Sequence, residues 1–234
     1  MSTSISISEH PTLDDDQQRT VLEIVAAATR TDGSAPLDEH SLIALRHHDP
    51  AVGHVLAVRA GSTVGYAIVE HDSDGAQAEM VVHPDQRQLG IGTALLQALP
   101  TSVQIWAHGN IPAAQTIAAH EGFTAVRTLW QLHRPLTGFK TPQSPDGITI
   151  RGFRPGVDDE RWLAINAAAF AHHPEQGSWS VKDLLDREHE PWFDPAGFLI
   201  AEVTAPQLGQ LTAGDLAGFH WTKVHDGGTA EAVG

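Results

Sequence analysis

The chain has 234 residues, enough for one large domain or two smaller ones, with 41% hydrophobic residues and no cysteine. Its 14 Lys and Arg against 29 Asp and Glu give a formal charge of −15, which argues against a surface built to wrap nucleic-acid phosphates or anionic lipid. The lack of cysteine removes disulfides, thiolate zinc sites and a cysteine nucleophile together. With no apolar run near the ~18 residues of a membrane span and no leader pattern in MSTSISISEHPTLDDD, the sequence reads as a soluble, cytoplasmic monomer.

Between Thr12 and Arg30, Val21, Leu22, Ile24, Val25 and Ala28 recur at helical spacing, and Thr12 with Asp15 resembles a capping box, so an amphipathic helix is the first element expected. A shorter helix is expected from Glu39 to His47. HVLAVRAG and STVGYAIVEH are β-branched runs meeting at Gly61 and Ser62, a hairpin signal. AQAEMVVHP is a third strand stopped by Pro84, and it feeds QRQLGIGTALLQALP, a glycine loop with a short helix that stops near Pro100. VQIWAH then reads as a strand, PAAQTIAAHEGF as a helix closed by Gly122, and FTAVRTLWQLHRPL as a last strand.

The Gly, Pro, Ser and Thr of TGFKTPQSPDG make residues 137–147 a linker between a domain at 1–136 and a second at 148–234. Beyond it come a strand (GITIRGFRP), helices in DDERWLAINAAAF and VKDLLDREHE, and a hairpin of FLIAEV with DLAGFHWTKVH. This order repeats the first half, with Gly218-Phe219 echoing Gly65-Tyr66. The second copy reaches Gly234 before any glycine loop, so one complete and one incomplete α/β domain are expected.

Arg87, Gln88, Leu89, Gly90, Ile91, Gly92 and Thr93 lie between a strand and a helix, where several backbone N–H groups can face one anion at a helix N-terminus. Gly90 and Gly92 remove side chains that would block close approach, and Arg87 adds a charge-assisted contact or is a solvated surface charge. Neither the dinucleotide fingerprint nor the Walker loop is present, and a helix start without a ligand has the same pattern. VVHPDQRQLGIGTALL resembles the acetyl-CoA motif of the GNAT acetyltransferases, and HGNIPAAQTIAAHEGF, with Asn110 and Gly122-Phe123, resembles the motif that follows it. The resemblance implies a mixed central sheet flanked by helices and acetyl-CoA as co-substrate.

AEMVVHPDQRQLGIGTA, QIWAHG, FAHHPEQGSW, PWFDPAGFLIA and GFHWTKVH together resemble the mycothiol synthase family, tandem GNAT enzymes also called mycothiol acetyltransferases. That resemblance implies acetylation of the cysteinyl amine of a cysteine, glucosamine and inositol conjugate. By the same resemblance Met80, Val81 and Val82 hold CoA through backbone groups, and Gln88 to Thr93 face the pyrophosphate. Glu39, Glu175 and Lys223 match sugar-substrate contacts, though each also reads as a plain surface charge. Glu231 stands near the family's catalytic glutamate without a fixed register, so the general base is open. The chemistry implied is direct attack of an amine on a thioester, with a splayed strand N–H polarising the carbonyl and a carboxylate removing the proton. Because the family's second domain performs the transfer, a chain ending at Gly234 is expected to be impaired. The alternatives are a non-catalytic acetyl-CoA-binding protein and a GNAT acetyltransferase of another amine. His47-His48 and His172-His173 lack metal-ligand spacing, so no metal is expected, and Trp130, Trp162, Trp179, Trp192 and Trp221 read as core or rim aromatics.

Overall fold

The computed structural model describes residues 4–234 except 73–74, 133, 136, 139, 141–142, 173–178, 225–229 and 233–234. The chain divides into two units, residues 1–131 and 132–234.

In the first unit the elements are β1 (Ile5–His10), α1 (Asp15–Asp32), α2 (Glu39–Arg46), β2 (Val52–Arg59), β3 (Ser62–Asp72), β4 (Gly75–Val82), α3 (Ile91–Ala98), β5 (Gln104–Ile105) and α4 (Pro112–His120). The sheet order is β1-β2-β3-β4-β5, antiparallel except for the parallel β4–β5 pair. Alternation along the strands gives the sheet two apolar faces. One packs Leu56, Tyr66, Ile68 and Val81 under Val21, Ile24 and Ala28 of α1. The other packs Val55, Ala57, Ala67 and Ala78 against Ile91 and Leu95 of α3.

Three local features differ from the sequence expectation. β1 is absent from that expectation; its Ile5 and Ile7 pack on the α3 face while the intervening serine points away. The capping box of α1 belongs to Asp14 and Gln17 rather than to Thr12 and Asp15: Gln17 N–H donates to Asp14 Oδ1 at 2.8 Å, and Asp14 N–H to Gln17 Oε1 at 3.0 Å. The strand expected from FTAVRTLWQLHRPL is not formed across residues 124–132. β5 supplies a ladder of only two residues, too short an edge to register a long strand, and Val126, Leu129, Trp130 and Leu132 are left exposed.

The second unit contains β6 (Ile148–Gly152), α5 (Asp159–Ala169), α6 (Val181–Glu188), β7 (Phe198–Val203), a small β8–β9 hairpin (Gln207–Leu208 and Leu211–Thr212), β10 (Leu216–Val224) and β11 (Ala230–Ala232). The antiparallel order β6-β7-β10-β11 repeats β1-β2-β3-β4. Its core is aromatic: Trp221 stacks on Phe198 with ring centroids 4.2 Å apart, and Trp162 meets both edge-on. Asp158, at 0% exposure, anchors the entry to α5 by accepting two bonds from Arg151, at 2.6 and 2.9 Å, and the Arg154 N–H at 2.9 Å. Among the described residues, no helix is long and apolar enough to cross a membrane, and no group of three His, Cys, Asp or Glu is placed to hold a metal ion.

Candidate functional site

β4 and β5 pair only through Gln77–Gln104 and Ala78–Ile105, with the Trp106 N–H donating to the Ala78 carbonyl at 3.0 Å. The chain then leaves the sheet at Ala107 and enters a 3-10 turn, His108–Asn110. β4 itself continues against β3 as far as the Gly65–Val82 pair. Strand hydrogen bonding alternates sides, so Glu79 and Val81 face β3 whereas Met80, two residues beyond Ala78, turns its N–H and C=O toward the side that β5 has vacated. The result is a wedge, lined by the open main chain of Met80. At its far end the Val82 carbonyl accepts from Arg87 Nε at 3.2 Å.

The glycine loop closes that end. Gly90, at φ +81°, is the N-cap of α3, a left-handed conformation that costs a residue with a Cβ about 1–2 kcal/mol. No side chain caps this helix, and its first internal bond runs from the Ala94 N–H to the Gly90 carbonyl at 3.0 Å. The N–H groups of Ile91, Gly92 and Thr93 therefore precede the helical ladder and sit at the positive end of the helix dipole, the arrangement that takes phosphate oxygens. Ile91 anchors the turn in the core, while Gln88, Leu89 and Gly90 are exposed. Arg87 is engaged elsewhere: its guanidinium grips both oxygens of Asp32 at 2.7 Å, tying the end of α1 to the loop. That bond raises the Arg87 pKa, against the opposing effect of burial. Its charge is neutralised, and its work in this structure is to hold the loop.

Beside the wedge lies a buried polar pair that sequence reasoning missed. Glu79, 4% exposed, points into the face covered by α1 and α2. One of its oxygens accepts the Asp38 N–H at 2.9 Å and the other bonds His108 Nε2. Asp38 in turn caps α2, its carboxylate accepting the Ser41 N–H at 2.7 Å, so Glu39 starts that helix one residue from the Glu79 contact. Burial works against a charged His108, but the bond to Glu79 and the charges of Glu79 and Asp38 outweigh it and raise the pKa above 6.5. Tyr66, fully buried, is pushed above its ordinary value by desolvation and by the Glu79 charge, and its hydroxyl meets His54 Nδ1 at 2.7 Å. Burial, then His10 and His48, lower the His54 pKa. A glutamate on the inward face of AQAEMVV was the available sequence signal; its histidine partner was hidden because QIWAH reads as a continuous strand.

In the second unit, Lys223 on β10 shares a strand face with Phe219 and Trp221, its ammonium 4.7 Å from the centre of the Trp192 ring. Glu231 lies in β11, where its backbone pairs across the ladder with Lys223. Glu175 lies outside the described residues.

The acetyltransferase (GNAT) domain model matches residues 51–130. A mycothiol acetyltransferase from Thermobispora bispora is 46% identical over 231 residues, spanning 96% of this chain and 74% of that protein. Those from Parafrankia sp. and Salinispora arenicola are 48% and 46% identical, over 88% and 95% of this chain and 66% and 73% of theirs. Two solved structures share the fold: a GCN5-related N-acetyltransferase from Sphaerobacter thermophilus (TM-score 0.60, 22% identity, 97% of this chain and 74% of that one) and a tandem GNAT protein from the clavulanic acid biosynthesis pathway (TM-score 0.60, 18% identity, 98% and 79%). An open strand, a glycine loop at a bare helix start and near-half identity to these relatives agree: the chain belongs to the mycothiol acetyltransferase family of GNAT acetyltransferases.

Proposed function

We propose that the β4–β5 wedge binds acetyl-CoA, and that the chain's reaction is transfer of an acetyl group from acetyl-CoA to the cysteinyl amine of a cysteine, glucosamine and inositol conjugate. One observation carries the co-substrate: the main chain of Met80 is open on the same side of the sheet edge that ends in the uncapped start of α3. An extended amide-bearing chain satisfies the first, through Met80, Val81 and Val82, and a pyrophosphate satisfies the second, along residues 88–93. Arg87, held by Asp32, fixes the loop between them. The acceptor follows from the relatives named mycothiol acetyltransferase. Glu39 stands beside the Glu79 contact, where it suits an ammonium or a polyol, and Glu175 and Lys223 are the corresponding contacts in the second half. Residues 1–136 form the acetyl-CoA domain of this reading and residues 148–234 a second copy of the fold. Use of acetyl-CoA is in keeping with a cytoplasmic, cysteine-free protein.

The purified chain is incubated with acetyl-CoA and the cysteinyl conjugate, and the product is identified by mass spectrometry. N-acetylated conjugate is expected. Saturable acetyl-CoA binding without product would leave a binding protein, and transfer to other amines but not to the conjugate would change the acceptor.

A further inference from the structure

The block PWFDPAG, residues 191–197, carries a tryptophan that the proposed function leaves unused, and its backbone is held at several points. The Phe193 N–H donates to the Glu190 carbonyl at 3.0 Å and the Gly197 N–H to the Asp194 carbonyl at 2.9 Å, while the Asp194 carboxylate accepts the Ala196 N–H at 2.9 Å. The Pro195 carbonyl accepts the N–H of Phe153, the residue after β6, at 3.1 Å. The Gly197 carbonyl takes both the N–H and the hydroxyl of Thr222, at 3.0 and 2.7 Å, and a Cβ on Gly197 would lie 3.0 Å from that hydroxyl. Thr222 immediately precedes Lys223 on β10, so the block that carries Trp192 is fastened to the strand one residue from the lysine.

The two side chains meet beside that fastening. Trp192 packs on Trp221 with ring centroids 5.9 Å apart, and Trp221 stacks on Phe198, so the indole is seated on the aromatic core. The Lys223 ammonium lies 4.7 Å from the centre of the Trp192 ring. Trp192 Nε1 is buried and has no acceptor among the described residues, which costs stability. A phenyl ring would pack there without stranding a donor; what an indole adds is the stronger cation-binding face. A lysine by itself is a loosely aimed donor, because its four-carbon stem loses rotamer entropy when the ammonium is ordered. An aromatic face attracts an ammonium without cancelling its charge, unlike the carboxylate of Asp32 on Arg87.

We propose that Trp192 is a positioning residue of the acceptor site in the second unit: its ring face holds the Lys223 ammonium in place before the hydroxyl-rich conjugate arrives, so that the polyol meets an already aimed donor. This rests on the reading of Lys223 as an acceptor contact. Trp192 touches the lysine and acts on the conjugate only through it. The division of labour follows from the fold: the bonds of Gly197 to Thr222 set the distance between block and strand, Trp221 seats the indole, and the indole orders the ammonium. Ordering the lysine in advance removes part of the entropy that binding would otherwise cost, and the gain appears as affinity for the conjugate.

Four proteins test this by calorimetric titration with the cysteine, glucosamine and inositol conjugate: the unmodified chain, Trp192→Leu, Lys223→Met and the double variant. Trp192→Leu is expected to weaken binding about 2–30-fold, the range of one cation–π contact, and to have no further effect in the Lys223→Met background. Trp192→Phe, which keeps a ring with a weaker face, should fall between the unmodified chain and Trp192→Leu. By NMR, the Lys223 side-chain methylene protons of the unmodified chain should show an upfield ring-current shift that Trp192→Leu removes. No binding of the conjugate by the unmodified chain overturns the acceptor reading and this inference with it. Binding that is unchanged in Trp192→Leu, or weakened equally with and without Lys223→Met, overturns this inference alone. Should Trp192→Leu fail to fold, Trp192→Phe in the two backgrounds answers the same question. The methylene protons are read in the unmodified chain whatever the variants do, and unshifted ones contradict the pair.

Discussion

Asp158 and the two histidines of the first unit show how single groups set pH dependence. Two arginines and a backbone N–H surround the Asp158 carboxylate, so these bonds outweigh the burial that opposes its charge and hold its pKa far below 3.8. A depressed acid contributes stability above its unfolded pKa, and the contribution is lost as pH falls toward the folded one. Asp158→Ala, which takes the buried acceptor from Arg151 and Arg154 but leaves Arg151 its bond to Glu202, should destabilise the second unit by about 1.5–3 kcal/mol in denaturant unfolding; a change under about 1 kcal/mol would show the network to be solvated. In the first unit the signs oppose each other. His54, depressed by burial, makes stability fall as pH drops below 6.5, whereas His108, elevated by Glu79, makes it fall as pH rises through its folded pKa. His108→Gln should therefore remove the alkaline decline in melting temperature and leave the acid one, and loss of both or neither would contradict this assignment. Single residues are also where the sequence says least. Arg87 was legible as a charge at the loop, but Asp32, 55 residues away, decides where that charge goes.

Among elements, the wedge exists because β5 stops after two residues while β4 runs on. The helices, the β2–β3 hairpin and the strand, glycine loop and helix succession were readable from period and punctuation. β1 was not, because a six-residue strand with polar alternate positions resembles a loop until its partner β2 is known. Nor was the fate of residues 124–132: their apolar content demands cover on both faces, and cover is a property of neighbours rather than of the segment. Trp130, 83% exposed, and Trp221, 1% exposed, are thus opposites. Trp130→Ser should change stability by no more than about 0.5 kcal/mol and Trp221→Ala should cost about 3–5 kcal/mol, as read by chemical denaturation. A large loss at Trp130 would mean that the segment is packed in solution.

At the scale of the molecule, the repeated order β1-β2-β3-β4 and β6-β7-β10-β11 was legible as a repeat of element types, whereas the unequal layering of the copies was not. The first sheet is covered on both faces. The second buries one face in aromatic rings and leaves Ile150 and Leu199 exposed at 44% and 37%. Hydrogen exchange should accordingly show weaker protection in β6, β7 and β10 than in β2, β3 and β4, and equal protection would mean that the second sheet is covered after all. The most direct measurement is calorimetric titration of the whole chain with acetyl-CoA, beside Gly90→Val. The sequence carries one glycine loop, and the variant adds a branched side chain at φ +81° where the α3 N–H groups must be approached. The expected result is one acetyl-CoA per chain, with binding lost in the variant while its melting temperature shows it folded. Two equivalents per chain, or undiminished affinity in Gly90→Val, would contradict the assignment of the wedge and its loop.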